Sequence, residues 1–235
     1  MKKLLVLLTC VALLALCAGP ALAEGEGTKL SVSGNGTVLV KSDLAIVTVG
    51  VREASADVLV AQATVNEKIA AIKQALLDAG VQETEINTDS INIYANYDYS
   101  DNTEVIVGYT ANNSLSVRTT DIDNVGALID AAFAAGANTL DNVQFTVQDD
   151  SEAREQALTK AVEDARRKAD VLAAAVGMQV TAIESIAESG VYTYDSMRNF
   201  AQMDAAATEG SGAGTLVQAA LVSVDASVSM DFILQ

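Results

Sequence analysis

Apolar and polar side chains alternate along residues 30–40 (LSVSGNGTVLV), with Leu30, Val32, Val38 and Val40 on one side. The alternation resumes with opposite parity over 44–53, through Ala45, Val47, Val49 and Val51. A period of two is that of a half-buried β-strand. Over 57–79 the period becomes helical: Val58, Val65 and Ile72 recur every seven residues, as do Ile69 and Leu76. Ser55 or Asp57 can cap this helix, and Gly80 stops it.

A hairpin is expected next. Ile91, Ile93, Ala95, Tyr97 and Tyr99 alternate with polar residues, Ser100-Asp101-Asn102-Thr103 supplies a turn, and Val105, Val107, Tyr109, Ala111, Leu115 and Val117 carry the return strand. Thr120 and Asp123 resemble a capping box at the start of a helix through Val125, Leu128, Ile129, Ala132 and Phe133. A strand at 143–147 follows, then a long helix over 152–176 with Leu158, Ala161, Ala165, Leu172 and Val176 expected inward. Val180 to Ala187 reads as a strand, 190–214 as a flexible loop rich in small and polar residues, and the last tract, from Val222 to Leu234, as a long strand.

These elements predict an α+β fold of antiparallel sheets covered by helices. Residues 44–148 have the order β-α-β-β-α-β of a ferredoxin-like core. Residues 29–40 with 152–235 make a second, βαβ-type lobe, so one domain spans 28–235. The tract 216–230 has no lysine or arginine and one acid, Asp225. Such a strand is poorly guarded against edge pairing, which points to a place inside a sheet or against another subunit.

The first residues belong to no fold. Lys2 and Lys3, an apolar run from Leu4 to Ala18 and the Ala21-Leu22-Ala23 pattern read as a signal peptide cleaved after Ala23. Leu14-Ala15-Leu16-Cys17 resembles a lipoprotein signal, with Leu16 large for its position, and lipidation at Cys17 is the alternative. The expected address is periplasmic or secreted, with no membrane span in the mature chain. Both cysteines, Cys10 and Cys17, precede the cleavage point, and the chain has no histidine. The mature chain therefore lacks the usual general base, the thiol nucleophile and the favoured transition-metal ligands. Removal of Lys2 and Lys3 takes the formal charge from −17 to −19. A surface this acidic repels nucleic acid.

Little chemistry stands out against this background. Gly34-Asn35-Gly36 is no phosphate loop, since no helix follows it; inside a strand such glycines mark a bulge or a close backbone approach. Asp121 and Asp123 begin like a calcium loop but lack its later ligands. Asp141, Asp149, Asp150 and Glu152 gather at the start of the long helix, where carboxylates offset the helix dipole. Asp98, Asp101 and Glu104 share the hairpin tip, as a solvated turn or a weak cation site. Tyr94, Tyr97, Tyr99 and Tyr109 concentrate on the same hairpin; Tyr97, Tyr99 and Tyr109 carry the core parity, whereas Tyr94 does not and is the candidate for a ligand or subunit contact. The sites to follow are thus Tyr94, Asp98, Asp101 and Glu104, with no catalytic residue, metal or cofactor assigned.

One further pattern carries over the whole chain. Gly108-Tyr109-Thr110-Ala111-Asn112-Asn113-Ser114-Leu115-Ser116-Val117, together with Thr88-Asp89-Ser90-Ile91, resembles the central strands of SIMPL-domain proteins. The spacing of Ala157, Ala161, Asp164-Ala165-Arg166, Lys168-Ala169, Leu172-Ala173 and Gly177 matches as well, as do Val32-Ser33-Gly34-Asn35-Gly36 and the end at Phe232. Ser42-Asp43 departs from the family's usual Pro-Asp. The resemblance implies a bacterial envelope protein of undefined biochemistry, associated with oxidative-stress tolerance and with immunogenic antigens, and capable of forming a homo-oligomer. It supplies no catalytic residues. The expectation is a non-enzymatic protein that acts by contact with other proteins. The alternative is a binder of small molecules or divalent cations, or a carboxylate-based hydrolase.

Overall fold

The computed structural model describes residues 27–99, 104–195 and 214–235. The expected signal segment, the hairpin turn with Asp101, and 196–213 of the expected loop lie outside the described residues. Among the described residues the chain forms β1 (Thr28–Lys41), β2 (Leu44–Ser55), α1 (Val58–Asp78), β3 (Ile86–Asp98), β4 (Val105–Thr119), α2 (Val125–Ala134), β5 (Thr139–Thr146), α3 (Ser151–Ala175), β6 (Val180–Asp195) and β7 (Leu221–Leu234). The class is α+β, as expected, with two antiparallel sheets ordered β3-β4-β2-β5 and β1-β7-β6.

The four-stranded sheet carries α1 and α2 on one face. Val47, Val49 and Val51 of β2 and Ala111, Leu115 and Val117 of β4 meet Ala61, Val65, Ile72 and Leu76 of α1 and Val125, Leu128 and Ile129 of α2. Asp57 is the cap of α1, accepting from the Leu59 N–H at 2.8 Å, while Ser55 accepts from the Asp57 N–H. Thr120 does not cap α2. A 3₁₀ turn over Ile122–Asn124 intervenes, and Asn124 at the helix start makes no side-chain cap bond. Phe133, the last of the apolar residues that mark this helix, is exposed.

The three-stranded sheet packs on α3. The buried positions of α3 are Ala153, Ala157, Ala161, Ala165, Ala169 and Ala173, one alanine every four residues. Leu172 and Val176, expected inward, are exposed, and Leu158 is partly buried. The cause lies on β1. A Cβ at Gly34 would stand 2.6 Å from the Ala165 nitrogen, and one at Gly36 would stand 2.6 Å from the Ala161 nitrogen. Real Cβ atoms essentially never come so close. The Gly34-Asn35-Gly36 tract is therefore the close-approach site its composition suggested: glycine under alanine lets helix and strand backbones meet. That geometry turns the alanine row inward and leaves the longer side chains on the flanks.

β7 lies between β1 and β6, so the weakly charged terminal tract is paired inside a sheet on both sides. Strand β6 runs to Asp195, eight residues past the expected end; residues 190–195 are strand and not the start of a loop. Thr193 and Arg154 explain the extension in part. The Arg154 guanidinium donates to the Val191 carbonyl at 3.2 Å and to Thr193 Oγ1 at 3.1 Å, and Thr193 donates to Asp150 at 2.5 Å.

Carboxylates bind α3 to β1. Asp164 accepts from Lys168 at 2.7 Å, from the Asn35 N–H at 3.1 Å and from Arg167. The Lys168 bond, foremost, and the Asn35 N–H bring its carboxyl down to about 2. Asp231 is also lowered, by bonds from Ser185 and then Ser31, and Asp150 by Arg154 and then Thr193. The folded chain thus keeps these groups ionised where the unfolded chain, with an ordinary aspartate near 4, takes up protons. Stability is expected to be full above that range and to fall as pH drops from about 4 towards about 2. Denaturant melts across this window check the expectation, and a midpoint that does not move refutes it.

Candidate functional site

The four-stranded sheet does not end as one unit. Pairing of β2 with β4 stops at Ser55 and Tyr109, whereas β3 and β4 remain paired out to Asp98 and Val105. Beyond Tyr109 the hairpin is a two-stranded ribbon. Two strands alone are marginal in water, yet this ribbon exposes Tyr97, Tyr99, Val105, Ile106 and Val107, each between 43% and 65% accessible, and Tyr94, half exposed, lies at its base opposite Thr110. Ile91 and Ile93, nearer its base, are also exposed. The expectation that Ile91, Ile93, Tyr97 and Tyr99 pack into the core is corrected. The core under α1 and α2 is filled from β2, from β4 between Ala111 and Val117, and from Ile86 on β3.

A bulge interrupts the ribbon on its β4 side. Tyr94 is opposite Thr110 and Asn96 opposite Gly108, but Tyr97 is opposite Ile106, with a register shift between Asn96 and Tyr97. The extra residue is Val107 of β4, so parity reverses on β4 while β3 keeps its alternation. Tyr97 therefore stays on the face opposite Tyr94, as simple alternation assigns, and Ile106 comes to the Tyr97 face. The Tyr97 and Tyr99 rings neighbour each other at 6.2 Å with a 37° tilt.

The base of the ribbon is polar and specific. Asn96 donates to Thr110 Oγ1 at 2.9 Å. Ser114 donates to Asp89 at 3.1 Å and shares a 2.9 Å bond with Ser90. Gly108 sits where a Cβ would stand 3.0 Å from the Ser55 carbonyl oxygen, so the ribbon leaves the sheet at a backbone contact. The side-chain oxygens of Asn112 and Asn113 are buried without a hydrogen-bond partner among the described residues.

Of the residues singled out from the sequence, Tyr94 and Asp98 lie on β3, Glu104 is exposed just before β4, and Asp101 is outside the described residues. Asp98 and Val105 are paired, so Asp98 and Glu104 share the distal end of the ribbon. Among the described residues no three carboxylates are grouped closely enough to hold a metal ion. Asp149 is lowered by the Ser151 hydroxyl and N–H, and Asp150 is engaged by Arg154 and Thr193. Sequence reasoning missed the exposed aliphatics Val105, Ile106 and Val107. Their run of three consecutive apolar residues was the available signal, because a one-sided strand alternates.

The comparisons with known proteins agree in kind. A family model described as SIMPL, protein of unknown function (DUF541), matches residues 30–232. The 26 kDa periplasmic immunogenic protein of Brucella melitensis is 27% identical over 168 residues, covering 69% of this chain and 67% of that protein. The uncharacterized protein YggE of Escherichia coli is 25% identical over 148 residues, covering 63% of this chain and 60% of that protein. Edwardsiella ictaluri has a YggE that is 25% identical over 162 residues, 68% of each chain. Among the described residues no helix is long and apolar enough to cross a membrane.

Proposed function

The chain belongs to the SIMPL family, and from that premise we propose that it is a non-enzymatic envelope protein that works by surface contact and assembles with copies of itself. The observation that carries this reading is the β3–β4 ribbon. It presents Tyr97, Val105, Ile106 and Val107 to solvent, with Tyr94 at its base, and among the described residues no helix covers either face. An apolar surface held out from the body is the usual mark of an interaction site, and aromatic residues are favoured at interface cores. The absence of histidine from the chain supports contact over turnover. The name of the Brucella relative supports a periplasmic address, reached by cleavage after Ala23. The strand order β3-β4-β2-β5, with α1 and α2 on one face, supports a ferredoxin-like reading of residues 44–148. A link to stress tolerance would then be indirect, through an assembly and not through thiol chemistry.

Light scattering on the chain from residue 24 tests the assembly. An oligomer is expected at micromolar concentration. The double change Ile106→Asp and Val107→Asp is expected to shift it to monomer while leaving the circular dichroism spectrum and the melting temperature nearly unchanged, since both residues lie outside the cores. A wild-type chain that stays monomeric at all concentrations overturns the reading.

A further inference from the structure

The face of the β1-β7-β6 sheet turned away from α3 is built differently from the ribbon. Register places Asn35, Ser227 and Gly190 in one cross-strand row, and Thr37, Asp225 and Tyr192 in the next. Leu39, Ser223 and Tyr194 form the row after that. The floor is thus made of short hydroxyl, amide and carboxylate side chains, and two tyrosines rise along one flank. Asn35, Thr37, Tyr192, Tyr194, Asp225 and Ser227 line a groove there.

The tyrosines are set flat and open. Gly190 has φ +131°, in the region that favours glycine. A Cβ at this position would stand 2.8 Å from the Tyr192 ring. The missing side chain lets the Tyr192 ring lie down across the strand. Its neighbour Tyr194 is 6.0 Å away, centroid to centroid, with planes only 31° apart. The two rings form a nearly continuous platform, and each is more than half exposed, at 55% and 53%. Beside them, Asp225 accepts from Thr37 at 2.5 Å and from Ser223 at 3.1 Å. A carboxylate has about four acceptor sites, so it retains capacity for a further donor.

We propose that this groove binds a neutral saccharide chain, stacked on Tyr192 and Tyr194 and hydrogen-bonded through Asp225, Thr37, Asn35 and Ser227. The argument is one of chemical match. An aromatic face carries partial negative charge and attracts the polarised C–H face of a pyranose ring. Sugar hydroxyls donate to a carboxylate and exchange bonds with serine, threonine and asparagine side chains. Anionic ligands are disfavoured, since none of the six lining residues named is a cation, Asp225 is an anion and the chain carries −17 overall. A protein partner would want an apolar centre, whereas here the centre is polar and the apolar surface lies on one flank. This inference is independent of self-assembly, which concerns the ribbon at the other sheet.

The test titrates the chain from residue 24 with chitotetraose, cellotetraose and maltotetraose, followed by calorimetry and by saturation-transfer NMR of the sugar protons. At least one is expected to bind, with Kd on the order of 1 mM or tighter. Tyr192→Ala and Tyr194→Ala are each expected to weaken binding about tenfold, while Tyr192→Phe, which keeps the ring, stays near wild type. Tyr97→Ala, on the ribbon, should leave it unchanged. Melting curves of each variant separate loss of the platform from loss of the fold. The proposal is overturned if no neutral oligosaccharide binds at 10-fold that concentration on the order of 10 mM. It is overturned equally if the folded tyrosine-to-alanine variants bind like wild type, or if a sulfated oligosaccharide binds better than its neutral counterpart.

Discussion

Replacing Gly34 with valine is expected to detach the longest helix from its sheet. The new Cβ would stand 2.6 Å from the Ala165 nitrogen and 2.7 Å from the Ala165 Cβ. These are mainly backbone atoms and a methyl group, with no flexible tip to swing aside. The strain is relieved only by lifting α3, and lifting α3 opens the packing of Ala157, Ala161, Ala165 and Ala169, all fully buried. Overpacking alone costs about 1–3 kcal/mol. With the lost helix packing the total should reach about 4 kcal/mol or more, the range reserved for changes that break a named structural device. For a domain of this size that is a fall in melting temperature on the order of 10 °C. Even Gly34→Ala should destabilise in the same direction, because its Cβ is the clashing atom. Asn35→Ala, whose side chain points to the open face, should stay within about 0.5 kcal/mol. Thermal melts of the three variants decide the matter; a Gly34→Val chain as stable as wild type refutes the close approach.

Phe232→Ala is expected to have the next largest effect. Phe232 is fully buried in the central strand β7, with Leu30 beside it on β1 and Ile183 beside it on β6. It is the large aromatic of a core otherwise made of valines, alanines and Met230. The facing alanines are too short to fill the space it leaves. Truncation of a buried phenylalanine costs about 3–5 kcal/mol, and a site that cannot collapse belongs at the upper end. Ile183→Ala is the internal control. It neighbours Phe232 in register but is 44% exposed, so the loss should be markedly smaller. Chemical denaturation of both variants measures the difference, and equal losses would mean that burial does not set the ranking.

The sequence by itself determined the kinds of element and most of their order. Alternation located β1, β2, β4 and β7, and heptad-like recurrence located α1. These signals are legible because each strand has one buried face, as the alternate burial along β7 shows. It also narrowed the glycines at 34 and 36 to a bulge or a close backbone approach, and the regular β1 register with the Ala161 and Ala165 backbone beside them selected the second. The tertiary structure decided what each periodic pattern faces. In α3 the leucines at 158 and 172 drew the eye, but the row that meets glycine must be alanine, so the larger residues were displaced to the flanks. In the hairpin, alternation continued past the point where β2 stops, and a pattern that reads as core became exposed ribbon because no helix reaches it. The bulge at Val107 then changed the parity at the start of β4 and brought Ile106 to the Tyr97 face, which no count along the chain reveals. The Tyr192 and Tyr194 platform was hidden for the same reason: its floor comes from β1 and β7, more than a hundred and about thirty residues away along the chain. Local periodicity fixes which side of an element is apolar; only the placement of neighbouring elements decides whether that side is covered.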